Sequence, residues 1–461
     1  MEQDIIAATA LGALRGSREG GAILFRGVTY ATAGRFAAPA PPAPWTTAPD
    51  AGPRDATRDG SIAPQLPSRL AAAMGGFERP QGEDCLSLTI ATPGVRGARP
   101  VLVFLHGGAF ISGAGSLAWY DGGRLAAEGD LVVVGVNYRL GALGFLHGDL
   151  ALDDQAAALR FVARHIGAFG GDPARITLAG QSAGATSIAH LLARADVRPL
   201  IRRAILMSGA FGRGHRDPAA RAAIARHFGE LLDDDPTTAP LPAILAAQGR
   251  LARELARFGQ TMPPFWPDPP SRGDTAGGDS AGDDFLATVG EAARGMDVMI
   301  GTTREEVHAF YAADPAMTDP PADAAEDLAA RLGGSLAAAR AARPDGSMLD
   351  WLADLGTEAL FAGPGRALAA RMGASGARVF PYRFDAAPTP RWRACHCIDL
   401  PFAFGNYAAW REAPMLGGMG EAAFERISAP LRRAITGFTR DGDPGWAAGG
   451  EHVLGNPDTA P

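Results

Sequence analysis

Short apolar runs rich in β-branched residues recur along the chain, separated by Gly-rich turns or helix-like segments. A run that is apolar at nearly every position is typical of a strand buried on both faces. Alternation of such strands with helices predicts an α/β fold, with a mostly parallel central sheet flanked by helices. Six runs support this prediction: residues 100–106, 130–138, 175–180, 203–209, 297–302 and 377–384.

The chain is long enough to bury a large core, with 461 residues of which 47% are hydrophobic. We therefore expect a single domain over residues 1–461. Ala- and Arg-rich stretches at about 210–295 and 310–370 predict helical insertions between core strands. These insertions either cover the sheet or form a lid or pocket wall. Within the first, the Pro-, Gly- and Asp-rich residues 267–284 predict a loop.

Composition excludes several classes of function. A net charge of -7 argues against nucleic-acid and acidic-lipid partners. All 43 basic residues are arginine, so Schiff-base and P-loop lysine chemistry is absent. Apolar runs fall far short of the roughly 20 residues that span a bilayer. Glu2 and Asp4 argue against a signal peptide, and three cysteines suit a reducing compartment, which predicts a cytoplasmic protein. Oligomeric state has no signature here.

A G-x-S-x-G pentapeptide, Gly180 to Gly184, lies between an apolar strand pattern and a helix pattern. A serine on such a strand-to-helix turn is exposed for nucleophilic attack, and small flanking residues allow close backbone approach. A glycine-rich turn of no chemical role has the same composition, so the context carries the argument. Ser182 is therefore the candidate nucleophile.

A second Gly-rich turn follows the strand at 100–106 and reads His-Gly-Gly-Ala. Its small residues leave backbone N–H groups accessible. The N–H groups of Gly108 and Ala109, together with that of Ala183, are candidates for an oxyanion hole. A strand-end turn without that role remains the alternative.

A serine nucleophile needs a base and an acid that orients the base. Of nine histidines, His147, His308 and His396 lie at the ends of strand-like or loop segments. For the acid, Glu305 and Glu306 follow the strand at 297–302. Serine, acid and histidine then occur in the order typical of α/β-hydrolases.

His396 also lies between Cys395 and Cys397, which raises the alternatives of a metal or redox site. A zinc site needs about four ligands, and alternate side chains of consecutive residues point apart. A redox dithiol is usually C-x-x-C rather than C-x-C. We therefore expect no metal and no other cofactor, and we interpret the two cysteines as packing residues beside a base.

Taken together, these motifs resemble the type-B carboxylesterase family, in particular bacterial p-nitrobenzyl-type esterases. The similarity runs from about residue 10 to 445 and includes residues 136–146, 153–184, 300–310 and 396–406. It implies an α/β-hydrolase fold and a serine carboxylesterase that cleaves small to medium esters through an acyl-enzyme. It assigns Ser182 as nucleophile, Glu306 rather than Glu305 as acid, and His396 as base. The resemblance also implies that Gly108, Ala109 and Ala183 form the oxyanion hole.

Some positions depart from the family pattern or leave the substrate open. Cys85 lacks its usual disulfide partner because Ala63 stands there, and Val307 replaces a glycine in a way that can tilt the backbone of Glu306. Hydrolysis of amides, carbamates or thioesters, or a non-catalytic binding role, are the alternatives. Candidate pocket walls, each equally well explained as core, are Phe110, Phe265, Trp266 and Phe402.

Overall fold

The structure is a computed structural model that describes residues 5–45, 52–213, 218–261, 263–267 and 281–455. The predicted loop at 267–284 lies largely outside these residues, as do Glu2 and Asp4. Twelve strands occur in the described part: β1 (Ile5–Thr9), β2 (Gly12–Glu19), β3 (Ala22–Thr29), β4 (Arg54–Asp55), β5 (Ser87–Thr92), β6 (Arg99–Leu105), β7 (Val132–Val136), β8 (Gly171–Gln181), β9 (Arg203–Met207), β10 (Asp297–Thr303), β11 (Arg378–Phe384) and β12 (His452–Leu454).

These strands form one sheet in the order β1-β2-β3-β5-β7-β6-β8-β9-β10-β11-β12, with β4 beside β2. From β7 through β12 every neighbouring pair is parallel. All six predicted strands are present in this parallel part, so the predicted α/β fold is confirmed. The antiparallel pairs, from β1 through β5 to β7, form the other end of the sheet.

Helices connect and cover the strands. They are α1 (Ala71–Met74), α2 (Gly123–Gly129), α3 (Gly141–Phe145), α4 (Leu150–His165), α5 (Ala183–Leu192), α6 (Pro218–Leu232), α7 (Leu241–Glu254), α8 (Ala281–Ala292), α9 (His308–Tyr311), α10 (Pro315–Thr318), α11 (Ala322–Arg331), α12 (Leu336–Ala342), α13 (Met348–Thr357), α14 (Gly363–Ala374), α15 (Asp399–Phe404), α16 (Tyr407–Trp410) and α17 (Glu421–Asp441). Among the described residues, no helix is both long and apolar enough to cross a membrane.

The alternation of side chains along β6 shows why the sheet needs helices on both faces. Val101 and Val103 pack into one apolar core, which also contains side chains from α4, α5, α8 and α14. Leu102 and Phe104 point the other way, into a second core shared with α2, α15 and α17. Burial on both faces explains why every position of such a strand is apolar.

Helices occupy both stretches of chain in which insertions are predicted. Between β9 and β10 lie α6, α7 and α8, and between β10 and β11 lie α9 to α14. Of these, α8 and α14 cover the sheet. The others pack mainly into two separate apolar clusters above the carboxyl ends of the parallel strands. The turns that follow β6, β8 and β10 meet at that edge, because parallel strands all end on the same side.

Candidate active site

The turn after β8 places Ser182 in a strained backbone conformation. Its φ is 56° and ψ is -119°, a combination that non-glycine residues rarely adopt. A Cβ atom at Gly180 would lie 2.6 Å from the carbonyl carbon of Gly184, and one at Gly184 would lie 2.0 Å from the oxygen of Leu105. Both positions therefore require glycine, and this close approach raises the serine above the sheet edge.

Three side chains meet in a hydrogen-bonded chain at this turn. The Nε2 atom of His396 lies 2.7 Å from Ser182 Oγ, and its Nδ1 atom lies 2.5 Å from Glu306 Oε2. His396 and Glu306 are fully buried. Since Nδ1 faces a carboxylate, the tautomer with the proton on Nδ1 leaves Nε2 free to accept a proton from the serine.

Glu305 and Glu306 have different neighbours. The other oxygen of Glu306, Oε1, accepts a hydrogen bond from the N–H of Thr303 at 2.8 Å, and its backbone carbonyl accepts one from the N–H of His396 at 3.0 Å. Glu305 instead accepts from the N–H of Ala394 at 3.0 Å and pairs with nearby arginines. The structure therefore brings Glu306 to the imidazole, while Glu305 holds the segment before it.

The other two candidate bases lie elsewhere. His147 packs edge-on against Phe36, with ring centroids 4.7 Å apart. His308 is buried with its Nε2 atom 3.3 Å from an oxygen of Asp350, and burial lowers its pKa. Neither lies against the serine, because each follows a different turn from the segment that carries His396.

The candidate oxyanion donors surround the serine. Gly108 and Ala109 follow β6, and both have positive φ, 113° and 54°. A Cβ at Gly108 would lie 1.9 Å from the carbonyl oxygen of Ser112, so only glycine fits. Ala183 opens α5 next to the nucleophile. Within the described part of the chain, the N–H groups of these three residues have no protein acceptor.

Val307, which follows the candidate acid, has an ordinary backbone conformation. Its backbone is in the right-handed helical region, with φ -76° and ψ -13°. Its side chain is buried against Gly356, where a Cβ would come within 3.1 Å of Val307 Cγ2. A glycine on α13 therefore provides the room that valine takes.

A narrow cleft opens onto Ser182. The described residues that line this cleft are Ser68, Arg69, Leu70, Gly108, Ala109, Ile111, Ser112, Ser182, Ala210, Thr261, Trp266 and Phe310. Most of these groups are apolar or small, as in pockets that bind organic substrates.

Of the four aromatic residues proposed as pocket walls, the structure places only Trp266 in the described lining of the cleft. Phe110 lies behind it, with ring centroids 5.1 Å apart. Phe265 packs on Phe228 between helices of the first insertion, and Phe402 is fully buried on α15. For these three residues the structure favours the alternative of a core side chain, because side-chain direction depends on turns whose geometry the sequence pattern does not record.

Three residues beside His396 were not predicted. The ring of His396 packs against Phe310 and Phe361, with centroids 5.4 and 5.0 Å away. The amide nitrogen of Gln181 lies 3.4 Å from Nε2 of His396, and its oxygen accepts from the thiol of Cys397 at 3.5 Å. Gln181 was visible as the variable residue before Ser182, but the two phenylalanines had no local signal.

The side chains of Cys395, His396 and Cys397 are all buried in the protein interior. Cys85, Cys395 and Cys397 are free and buried, as expected for Cys85 from the presence of Ala63. Burial raises the pKa of all three thiols, that of Cys85 to about 12. Among the described residues, no group of three or more His, Cys, Asp or Glu side chains is arranged to hold a metal ion.

Fold and site together define a serine hydrolase of the α/β-hydrolase class. A model of the carboxylesterase family matches residues 3–452, and the chain belongs to that family. The chain is 37% identical to a protein named probable N-octanoylanthranilate hydrolase AqdA2 from Rhodococcus erythropolis, over 97% of this chain and 95% of that one.

A second relative is the para-nitrobenzyl esterase of Bacillus subtilis, 34% identical over 96% of this chain and 91% of that one. The solved structure of a thermophilic PNB esterase superposes with a TM-score of 0.81 at 31% identity, covering 98% and 96% of the two chains. The expected resemblance is confirmed, and the chain is a carboxylic ester hydrolase whose substrates are small-molecule esters.

Proposed function

We propose that the enzyme hydrolyses carboxylic esters through an acyl-enzyme intermediate on Ser182. The observation that carries this proposal is the continuous chain of hydrogen bonds from Ser182 Oγ through His396 to Glu306. His396 removes the hydroxyl proton as the oxygen attacks the ester carbonyl, and then donates that proton to the departing alcohol. Glu306 holds the imidazole in one tautomer and stabilises the imidazolium that forms.

The tetrahedral intermediate carries a negative charge on the former carbonyl oxygen. We assign its stabilisation to the N–H groups of Gly108, Ala109 and Ala183, which lack protein acceptors in the described part of the chain. The N-terminus of α5 adds a favourable dipole at the same point. Removing one such donor typically costs on the order of 10²–10³ in kcat.

Deacylation repeats the same proton movements. Water takes the place of the alcohol, gives a proton to His396 and attacks the acyl carbon. The proton then returns to the serine oxygen as the carboxylic acid leaves. His396 carries each proton of this cycle, so the proposed chemistry needs neither a metal ion nor an organic cofactor.

The proposal extends to the range of substrates that the enzyme cleaves. The narrow, mostly apolar lining of the cleft favours small to medium esters over long lipids. Hydrolysis of N-acyl compounds on the same residues is the second candidate, because a relative's name specifies an N-octanoyl substrate.

We propose a single catalytic unit, with insertion residues Trp266 and Phe310 lining the cleft. A cytoplasmic location agrees with three free, buried cysteines.

A panel of p-nitrophenyl esters of increasing acyl length tests the proposal. Wild type is expected to release nitrophenolate fastest from short and medium chains, and Ser182→Ala is expected to lose this activity while keeping the wild-type unfolding temperature. An organophosphate should label Ser182 in wild type only. Absence of both turnover and labelling in folded wild-type protein would refute the serine-esterase mechanism.

A further inference from the structure

A second, larger cavity adjoins the cleft over Ser182. Arg69, Ile111 and Thr261 line both spaces, so the two spaces adjoin, and we call the larger cavity the outer groove. The other described residues of its lining that bear charge are Arg253, Glu254, Arg257 and Arg331.

Four arginines line the outer groove in a protein whose net charge is -7. Arg331 pairs with Asp327 at 2.9 Å. Glu254 is the single acidic residue in the described lining, and its Oε2 atom lies 2.6 Å from Nε2 of His227. The other three arginines have no carboxylate within 4 Å in the described part of the chain: Arg69, Arg253 and Arg257. The described lining of the groove therefore carries more positive than negative charge, although the charge of Asp314 acts on Arg69 and offsets part of it.

Arg69 occupies the junction between the two cavities. Its guanidinium donates to the carbonyl oxygens of Thr261 and Gln260, each at 3.2 Å, which orients the group. A guanidinium has five N–H donors, so most remain available. Desolvation by surrounding protein atoms lowers the pKa of Arg69 and the charge of Asp314 opposes this fall, while the residue as a whole remains exposed to solvent. A cation that has lost part of its hydration gains most from an anionic partner that accepts two hydrogen bonds.

We propose that the outer groove selects esters that carry a carboxylate remote from the scissile bond, and that Arg69 is the principal residue that binds this carboxylate. This inference rests on the proposed ester hydrolysis at Ser182. The apolar part of the substrate occupies the cleft beside Trp266, and the carboxylate extends to Arg69. Arg253 and Arg257 raise the local concentration of such anions, because summed positive charge around a concave site attracts anionic ligands.

Matched pairs of esters test this selectivity. One pair is the mono-p-nitrophenyl ester of adipic acid and the same compound with its free carboxylate capped as a methyl ester. A second pair places the charge on the leaving group: 4-acetoxybenzoate and methyl 4-acetoxybenzoate. Wild type is expected to show a higher kcat/KM for the anionic member of at least one pair. That advantage should shrink as ionic strength rises, since salt screens accessible charges.

Arg69→Gln should reduce the ratio of anionic to neutral kcat/KM by up to about fivefold, mainly through KM, as expected for one partly exposed ion pair. The double variant Arg253→Gln/Arg257→Gln should weaken the salt dependence. Arg433→Gln, on the exposed side of α17, removes one positive charge outside the groove and should change neither readout.

Equal turnover of both members of each pair, independent of salt, would overturn the inference while leaving ester hydrolysis intact. An Arg69→Gln variant that keeps the wild-type ratio would also overturn it. If wild type hydrolysed none of the four esters, the proposed function itself would fail and the inference with it. The salt dependence of wild type provides a readout that does not rely on any variant folding.

Discussion

Asp399 lies three residues after His396 at the start of α15, and it is completely buried. Neither of its carboxyl oxygens has a hydrogen-bond partner of ordinary geometry among the described residues. Burial and the nearby charge of Glu306 raise its pKa from 3.8 to about 8, although the N–H groups of Asp399 and Leu400 oppose the rise. The group therefore stays protonated in the folded protein at neutral pH.

A raised pKa has a definite sign for stability. Between pH 3.8 and about 8 the folded state holds a proton that the unfolded state releases, so the free energy of unfolding falls as pH rises. The slope is about 1.4 kcal/mol per pH unit, which gives a total cost of roughly 6 kcal/mol above pH 8. Below pH 3.8 both states are protonated and the cost vanishes.

Asp399→Asn replaces the acid with a group of the same shape that cannot ionise. The stability of the variant relative to wild type should therefore increase by roughly 4 kcal/mol between pH 5 and pH 9. Urea denaturation of both proteins at pH 5, 7 and 9 measures this difference. The exposed Asp345→Asn serves as a control and should follow the wild-type pH profile. A difference between Asp399→Asn and wild type that stays constant over this range would refute the argument.

Three further predictions concern the candidate catalytic acid, the turn at the nucleophile and the buried cysteines. In steady-state assays Glu306→Gln should lower kcat by about 10⁴, because the amide cannot stabilise the imidazolium. Glu305→Gln keeps an oxygen that can accept from the N–H of Ala394, so this variant should retain most of the wild-type kcat. Gly184→Ala should destabilise the protein and abolish activity, because its Cβ would meet backbone at 2.0 Å. Gly373→Ala, on the exposed side of α14 with nothing within 4 Å, should raise the unfolding temperature slightly. The three buried thiols should react with Ellman's reagent only after unfolding, since burial removes access and raises their pKa.

The parallel half of the sheet could be predicted from sequence because burial on both faces produces continuous apolar runs. The antiparallel end gave no such signal. Strand β2 contains Arg15, Arg18 and Glu19 among smaller residues, and its burial alternates between buried and partly exposed positions. A pattern of this kind is also typical of irregular surface segments. Its pairing with β3 and β1 depends on contacts that composition does not record.

The chemical residues were accessible to sequence reasoning because each follows a recognisable strand and because their order along the chain is restrictive. Choosing between Glu305 and Glu306 was harder. The two residues are adjacent and have the same chemistry, so only the family resemblance separated them. The structure gives the physical reason, since one carboxylate faces the imidazole and the other faces the N–H of Ala394.

Residues that determine substrate specificity are harder to predict from sequence than catalytic residues, because the groups that position them lie far away in the chain. The nucleophile turn is a local structure, and its five residues specify their own geometry. The arginine at the mouth of the cleft depends instead on carbonyl groups 191 and 192 residues away. No periodicity or motif relates Arg69 to Gln260 and Thr261, so its position in the lining of the cleft follows only from the folded structure. The same fold can therefore keep its catalytic turn unchanged while substitutions in the insertions alter which esters reach it.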